Sequence, residues 1–100
     1  MKVEFLPEAE EEFREAVRYY EQEAPGVGLT FLAEVRSATI SVLQNPHSAA
    51  DIGNGIRRKV LHHFPYNLIY SIEADLIIIT AVAHHKRRPR YWKGRIKSSE

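Results

Sequence analysis

Cysteine is absent from the 100 residues of the sequence, which excludes disulfides and zinc sites with thiolate ligands. No apolar run approaches the roughly 20 residues of a membrane helix, and the N-terminal residues lack the apolar region of a signal peptide. We therefore expect a cytoplasmic protein. One hundred residues suffice for one core but not for two, so residues 1–100 are predicted to form a single domain without a cofactor.

Acidic residues are nearly absent from the C-terminal quarter of the chain. Residues 76–100 contain seven bases and the single acid Glu100, a net charge of +6, whereas residues 1–25 contain eight acids and three bases, a net charge of −5. The whole chain carries only +1. This polarity indicates an anionic partner at the basic end. A tail whose charges only keep a small protein in solution explains the composition equally well.

The first half of the chain has the pattern of two amphipathic helices after a short strand at residues 2–5. Pro7 suits the first helical position, and the apolar residues that follow recur at helical spacing: Ala9, Phe13, Ala16, Val17 and Tyr20. Ala24-Pro25-Gly26 ends that helix. A second apolar face, ending near Asn45-Pro46, comprises Leu29, Leu32, Val35, Thr39, Val42 and Leu43, widened by Phe31 and Ile40. The short connection predicts an antiparallel helical hairpin.

The second half of the chain has the pattern of a small antiparallel sheet. Residues 47–55 are rich in Ser, Ala, Asn and Gly, which indicates a surface loop. Strand patterns follow at residues 56–64, at 66–72 and from Leu76, and their short connections predict a three-stranded meander. The fold class is therefore α+β, with the N-terminal strand and a helical hairpin packed on one sheet face. We expect the other face to be more open.

Helical and strand periodicity also predict which side chains form the core. The predicted buried residues are Phe13, Val17, Leu32, Val35, Leu68, Tyr70 and Ile78. They lie on the inward faces of the two helices and of the last two strands.

The candidate functional segment follows the apolar run Leu76–Ala83, which is a buried strand by its length and β-branching. The chain then becomes basic and aromatic up to Lys97. The candidate target-binding residues are Lys86, Arg87, Arg88, Arg90, Trp92, Lys93 and Arg95. Trp92 has a second interpretation, because aromatic residues just after a strand commonly fold back to close the core.

Two histidine pairs, His62-His63 and His84-His85, offer general acid and base groups, and the cations after them could hold phosphate. Adjacent residues of a strand point to opposite sides, so only one of each pair can serve one site. The competing interpretation is that they are polar residues at strand edges and at the sheet end. No metal site is predicted, because adjacent histidines without a nearby carboxylate lack a useful ligand geometry.

The element order and four phrases of the sequence closely resemble the RelE/ParE superfamily of bacterial type II toxins, which includes ParE-like plasmid stabilisation proteins. The phrases are Pro7-Glu8-Ala9-Glu10, Ile56-Arg57-Arg58, Phe64-Pro65-Tyr66-Asn67-Leu68-Ile69-Tyr70, and Ala81-Val82-Ala83-His84-His85-Lys86-Arg87-Arg88-Pro89-Arg90-Tyr91-Trp92. The resemblance covers nearly the whole chain. It implies a helical hairpin on an antiparallel sheet, an antitoxin partner, and a toxic activity against translation or DNA gyrase.

Within that superfamily, RelE-like toxins cut messenger RNA on the ribosome with basic residues on the open sheet face and a tyrosine near the C-terminus. The resemblance places Tyr91 on that tyrosine and Arg58 on one basic position, but Val60, Asn67 and His85 stand where further cations would be. Such cations stabilise transition-state charge by several kcal/mol. The departures therefore favour a ParE-like toxin that inhibits gyrase.

Two alternatives to gyrase inhibition stay open. If the chain cleaves RNA, the resemblance makes Arg58, His85 and Tyr91 its catalytic residues. If its activity has been lost, the chain is a module that only binds its antitoxin.

Overall fold

The computed structural model describes residues 1–96, in which two helices and five strands form one α+β unit. In chain order the elements are β1 (Lys2–Phe5), α1 (Pro7–Glu23), α2 (Val27–Gln44), β2 (Ala50–Gly53), β3 (Ile56–Val60), β4 (Tyr66–Glu73), β5 (Leu76–His84) and a short 3₁₀ helix, Lys93–Arg95. The predicted fold class, the N-terminal strand and the helical hairpin are confirmed. Neither helix of these 96 residues has the length and apolar composition needed to cross a membrane.

The strands form one mixed sheet in the order β1-β5-β4-β3-β2. The predicted antiparallel meander is β3-β4-β5, and β1 joins it by pairing in parallel with β5. The prediction of a surface loop at residues 47–55 is wrong over β2, which pairs antiparallel with β3. Arg57 of β3 contributes to this pairing, because its guanidinium donates hydrogen bonds of 3.1 and 2.7 Å to the carbonyls of His47 and Ala49. Those bonds hold the chain beside β3 where its own residues have weak strand propensity.

The two helices are in close contact at Gly28, in the first turn of α2. A Cβ at this position would lie 2.5 Å from the carbonyl oxygen of Val17 on α1, so only glycine fits there. Glu21 of α1 then caps α2, since its carboxylate accepts bonds of 2.9 and 3.0 Å from the N–H groups of Gly26 and Gly28. The hairpin is thus fixed at its turn by a contact and a cap.

The inward face of α2 is rotated from the predicted one. Its buried residues are Gly28, Phe31, Val35, Ala38 and Val42, whereas Leu29 and Ile40 are 65% and 56% exposed. The stripe through Leu29 and Ile40 is interrupted by Arg36, and the close approach at Gly28 turns the other stripe toward the core. Of the seven predicted core residues, Val35, Leu68 and Tyr70 are buried, while Phe13, Val17, Leu32 and Ile78 are only partly buried.

The second sheet face is not as open as predicted, because the chain after β5 folds back over it. Trp92 is 4% exposed and packs with four buried residues of the sheet: Ile56, Ile69, Ala81 and Ala83. Its interpretation as a core residue is therefore confirmed. The sheet has an apolar cluster on each side, and the C-terminal residues build one of them.

Candidate functional site

The segment that follows β5, residues 85–96, is held by specific contacts at its start and near its middle; we call it the C-terminal segment. His85 donates its backbone N–H to the carbonyl of Pro65 at 2.8 Å. Arg90 adopts a left-handed conformation with a φ of 59°, and its guanidinium donates a 2.7 Å bond to the carbonyl of Ile52 in β2. The guanidinium of Arg90 therefore reaches from the C-terminal segment over the sheet face to β2.

Glu12 of α1 anchors the far end of the C-terminal segment. Its carboxylate accepts two hydrogen bonds from the guanidinium of Arg95, at 2.9 and 2.8 Å, and one from the hydroxyl of Tyr91 at 2.6 Å. Bidentate arginine–carboxylate pairs are among the strongest side-chain contacts in proteins. Both charged side chains are largely buried, with exposures of 16% for Glu12 and 17% for Arg95.

The side chains of Glu12 and Arg95 also form hydrogen bonds with backbone groups of β5 that β1 does not reach. The partner strand β1 ends where Phe5 pairs with Ile79, and a bulge at Thr80 follows. Beyond that point Glu12 accepts the backbone N–H of Val82 at 3.0 Å, and Arg95 donates to the carbonyl of Thr80 at 3.1 Å. The two side chains thus replace the hydrogen bonds that a neighbouring strand would make.

The protonation states in the cluster follow from these contacts. Burial alone would raise the pKa of Glu12, but the hydrogen bonds from Arg95, Tyr91 and Val82 and the charge of Arg95 outweigh it, so the pKa lies below its ordinary value. Burial and the bond to Glu12 raise the pKa of Tyr91 far above its ordinary value. Tyr91 is therefore a neutral hydrogen-bond donor, committed to Glu12.

Sequence reasoning missed Glu12, although a signal was present. Glu12 lies three residues after Ala9 and four before Ala16, both of which face the core. A glutamate on the inward stripe of a helix must find partners to be buried. Its partners lie 70 to 83 residues away in the sequence.

The seven predicted target-binding residues divide into two groups. The exposed ones are Lys86, Arg87, Arg88, Arg90 and Lys93. Trp92 is in the core, as its second interpretation predicted, and Arg95 is paired with Glu12, so neither belongs to an exposed target-binding surface. Arg87 stacks over the Tyr91 ring at 3.9 Å. Lys97 lies outside the described residues.

The three residues predicted to be catalytic in an RNA-cleaving toxin line a common cavity. Arg58, His85 and Tyr91 all contribute to its wall, on the sheet face that Trp92 covers. The imidazole of His85 lies 3.1 Å from the side-chain oxygen of Asn67. The Tyr91 hydroxyl, however, is bound to Glu12 of α1. Arg58, His85 and Tyr91 thus line one cavity, but the hydroxyl of Tyr91 is engaged by Glu12.

The remaining histidines lie in different surroundings. His84 packs edge-to-face on Tyr66, with ring centres 5.0 Å apart, and burial followed by the charges of His85 and Lys86 lowers its pKa. His63 contacts Glu34 of α2 at 2.8 Å. Within residues 1–96 no three histidine or acidic side chains are grouped closely enough to hold a metal ion.

Comparisons with known proteins bear on the family through a family model and on the fold through a solved structure. The sequence pattern of a family described as the ParE toxin of type II toxin–antitoxin systems (parDE) matches residues 3–89. A chain from the solved structure of a chromosomal ParDE toxin–antitoxin system from P. aeruginosa superposes with a TM-score of 0.71 and 16% sequence identity, over 84% of this chain and 95% of that chain. A comparison with curated protein sequences found no match.

Proposed function

Because the chain belongs to the ParE toxin family of type II toxin–antitoxin systems, we propose that it inhibits DNA gyrase and that a cognate antitoxin neutralises it. The contact with gyrase is made by the exposed cations of the C-terminal segment: Lys86, Arg87, Arg88, Arg90 and Lys93. A surface of this kind attracts an anionic partner over a distance and orients it.

The position of the Tyr91 hydroxyl supports gyrase inhibition over RNA cleavage. In RelE-like toxins the corresponding tyrosine belongs to the catalytic set, as the resemblance implies. Here the hydroxyl donates a 2.6 Å hydrogen bond to Glu12, and its raised pKa means that it loses its proton less readily than an ordinary tyrosine. Val60, at a position where the RelE-like pattern has a cation, is 48% exposed and supplies no charge. Asn67 and His85 likewise stand where the RelE-like pattern places cations that stabilise the developing phosphorane charge.

Parallel assays of the purified toxin test this proposal. Supercoiling by gyrase should fail at a toxin concentration that leaves messenger RNA intact on programmed ribosomes. Lys86→Gln and Lys93→Gln should each weaken gyrase inhibition in part, because several exposed charges share the contact. The loss should be larger at low salt, where these charges are screened less. Arg36→Gln, which removes an exposed charge from α2, is the matched control and should have no effect. Cleavage of the messenger with gyrase unaffected would contradict the proposal.

The antitoxin that we propose is an acidic, amphipathic segment that docks as a helix or as an added strand. Two features of the toxin support this chemistry: the +6 charge of residues 76–100, and the exposed apolar side chains Leu29 and Ile40 on α2. Co-expression with the product of the neighbouring gene should yield a stable, non-toxic complex. A chain that binds this product but is harmless alone would instead be an inactive antitoxin-binding module.

A further inference from the structure

Two backbone groups near the end of β5 have no hydrogen-bond partner among residues 1–96. The N–H of Val82 points away from β4, because it donates to Glu12. Orientation alternates along a strand, so the carbonyl of Val82 and both backbone groups of His84 point the same way. The carbonyl of His84 accepts the N–H of Arg87 at 3.0 Å. The carbonyl of Val82 and the N–H of His84 are thus left open, beyond the last β5 residue that pairs with β1.

A cavity of about 220 Å³ lies beside these open groups, between α1 and the end of β5. Helix α1 lines one side with Glu15, Ala16 and Tyr19, and the sheet lines the other with Tyr66 and His84. We propose that this cavity and the open edge bind an extended, basic segment of a partner protein, which adds to β5 as a short parallel strand. The inference goes beyond the proposed function, because it places on α1 a surface for a cationic partner, whereas the C-terminal segment attracts an anionic one.

The two open groups favour a strand that runs parallel to β5. In a parallel pair, one residue donates its N–H to the residue before its neighbour and accepts a bond from the residue after it. Val82 and His84 flank Ala83, so a single partner residue opposite Ala83 satisfies both groups. An antiparallel residue exchanges both bonds with one residue, and neither Val82 nor His84 has both groups open. The added strand thus has the same direction as β1, which also runs parallel to β5.

The side chains around the cavity favour a basic residue in the partner. The partner residue that follows the one opposite Ala83 lies beside His84, and its side chain points to the sheet face that α1 covers. There the rings of Tyr19 and Tyr66 line the cavity next to the exposed carboxylate of Glu15. An arginine or a lysine can lay its carbon chain on these rings and bring its charge to the carboxylate.

The charge of α1 argues against an acidic occupant. The helix contains seven acidic and two basic residues, a net charge of −5. Glu8 and Glu15 lie on the same stripe as Glu12, are exposed, and have no cation within 4.0 Å in the described part of the chain. Arg87 also lines the cavity, but its guanidinium is held over the ring of Tyr91 at 3.9 Å. The acidic antitoxin segment proposed above would therefore meet like charge here, and a basic segment meets opposite charge.

Peptide titrations of the purified toxin, followed by NMR, test this proposal. The probe is a short capped peptide of alternating threonine and valine with one central arginine. It should shift the amide signal of His84 and slow the hydrogen exchange of this N–H, which gains an acceptor. The N–H of Ala83 is already paired with β4 and should exchange at an unchanged rate. Two matched peptides, one with glutamate in place of the arginine and one with the preceding residue N-methylated, should bind several-fold more weakly.

Two variants of α1 separate this groove from general attraction. Glu15→Gln should weaken binding of the arginine peptide about two- to five-fold, the range of an exposed ion pair. Glu23→Gln removes an equal charge from the exposed end of the helix and should leave the affinity unchanged. Both side chains are exposed, and thermal unfolding of each variant identifies any loss that comes from misfolding.

Four results would overturn the proposal. The first is an unchanged His84 signal at peptide concentrations on the order of millimolar. The second is equally tight binding of the glutamate peptide or the N-methylated peptide, and the third is an equal loss of affinity in Glu23→Gln. The fourth is a His84 signal that shifts on dilution of the toxin alone, since this would show that a second copy of the chain occupies the edge.

Discussion

The hydroxyl of Tyr91 donates a 2.6 Å hydrogen bond to the carboxylate of Glu12, which lies 79 residues earlier in the chain. The same carboxylate also holds Arg95 and the backbone of β5. One glutamate of α1 thus links the N-terminal helix, the edge of the sheet and the C-terminal segment. The exposed cations that we assign to target binding depend on this link for their position.

Removal of the Glu12 side chain should lower the stability of the protein. Glu12→Ala leaves the guanidinium of Arg95 largely buried without its counter-charge, and the N–H of Val82 without its acceptor. We expect the free energy of unfolding to fall by about 2–4 kcal/mol. Urea denaturation at neutral pH measures it. The control is Glu11→Ala, which breaks an exposed 3.2 Å pair with Arg18 and should cost about 0–1 kcal/mol. Equal losses in both variants would show that the buried cluster is not what holds the segment.

Tyr91→Phe distinguishes a structural hydroxyl from a catalytic one. Loss of the bond to Glu12 should lower stability by about 1–3 kcal/mol. Toxicity should be retained at temperatures where the variant is folded. Tyr19→Phe is the control, because Tyr19 is 55% exposed and its hydroxyl makes no hydrogen bond within residues 1–96. A Tyr91→Phe variant with normal stability and no toxicity would restore the catalytic role.

Sequence patterns predicted the elements that local physics determines. The helical hairpin and the meander follow from 3.6-residue and two-residue periodicities and from the Pro, Gly and Asn residues that end each element. The strand β2 could not be predicted, because Ala50–Gly53 has no alternating pattern and pairs only where β3 offers an edge. Which face of α2 points to the core could not be predicted either. Two apolar stripes compete on that helix, and the contact between Gly28 and Val17 selects one.

The candidate site was predictable in composition but not in geometry. The run from Lys86 to Lys93 marks the exposed cations, since such a density of charge must face solvent. Trp92 packs with Ile69, and Arg95 pairs with Glu12; both partners lie far away in the sequence. No local pattern identifies such partners. The burial of Arg95 therefore could not be predicted, whereas burial of Trp92 was one of the two interpretations of its position just after a strand.

Truncation of two leucines should test the observed faces. Leu68 on β4 is fully buried, so Leu68→Ala should cost about 2–5 kcal/mol of unfolding free energy. Leu29 on α2 is 65% exposed, and Leu29→Ala should cost less than about 0.5 kcal/mol. Leu32, which is partly buried, should fall between them. Chemical denaturation of the three variants gives the ranking, and a large loss for Leu29→Ala would mean that α2 is rotated differently.

A second carboxylate, Glu34 of α2, fixes the turn between β3 and β4. It accepts the backbone N–H groups of His62 and His63 at 2.6 and 2.9 Å and contacts the His63 ring at 2.8 Å. Burial alone would raise the pKa of Glu34, but these hydrogen bonds and the charge of His63 outweigh it and lower the pKa. The folded protein therefore holds Glu34 ionised at a pH where the unfolded chain begins to bind a proton.

Stability should consequently depend on pH through Glu34 on the acid side. A lowered pKa in the folded state gives a contribution that is complete above the unfolded value, 4.5, and that disappears as the pH falls through the folded value. Urea denaturation from neutral pH down to below this range should show a steady loss in the wild type. In Glu34→Gln the protein should be less stable at neutral pH and should lose less on acidification; Glu12, whose pKa is also lowered, maintains the remainder. Glu23→Gln, at the exposed end of α1, is the control and should follow the wild-type curve. If Glu34→Gln also followed that curve, the carboxylate would contribute no stability to the turn that carries His62 and His63.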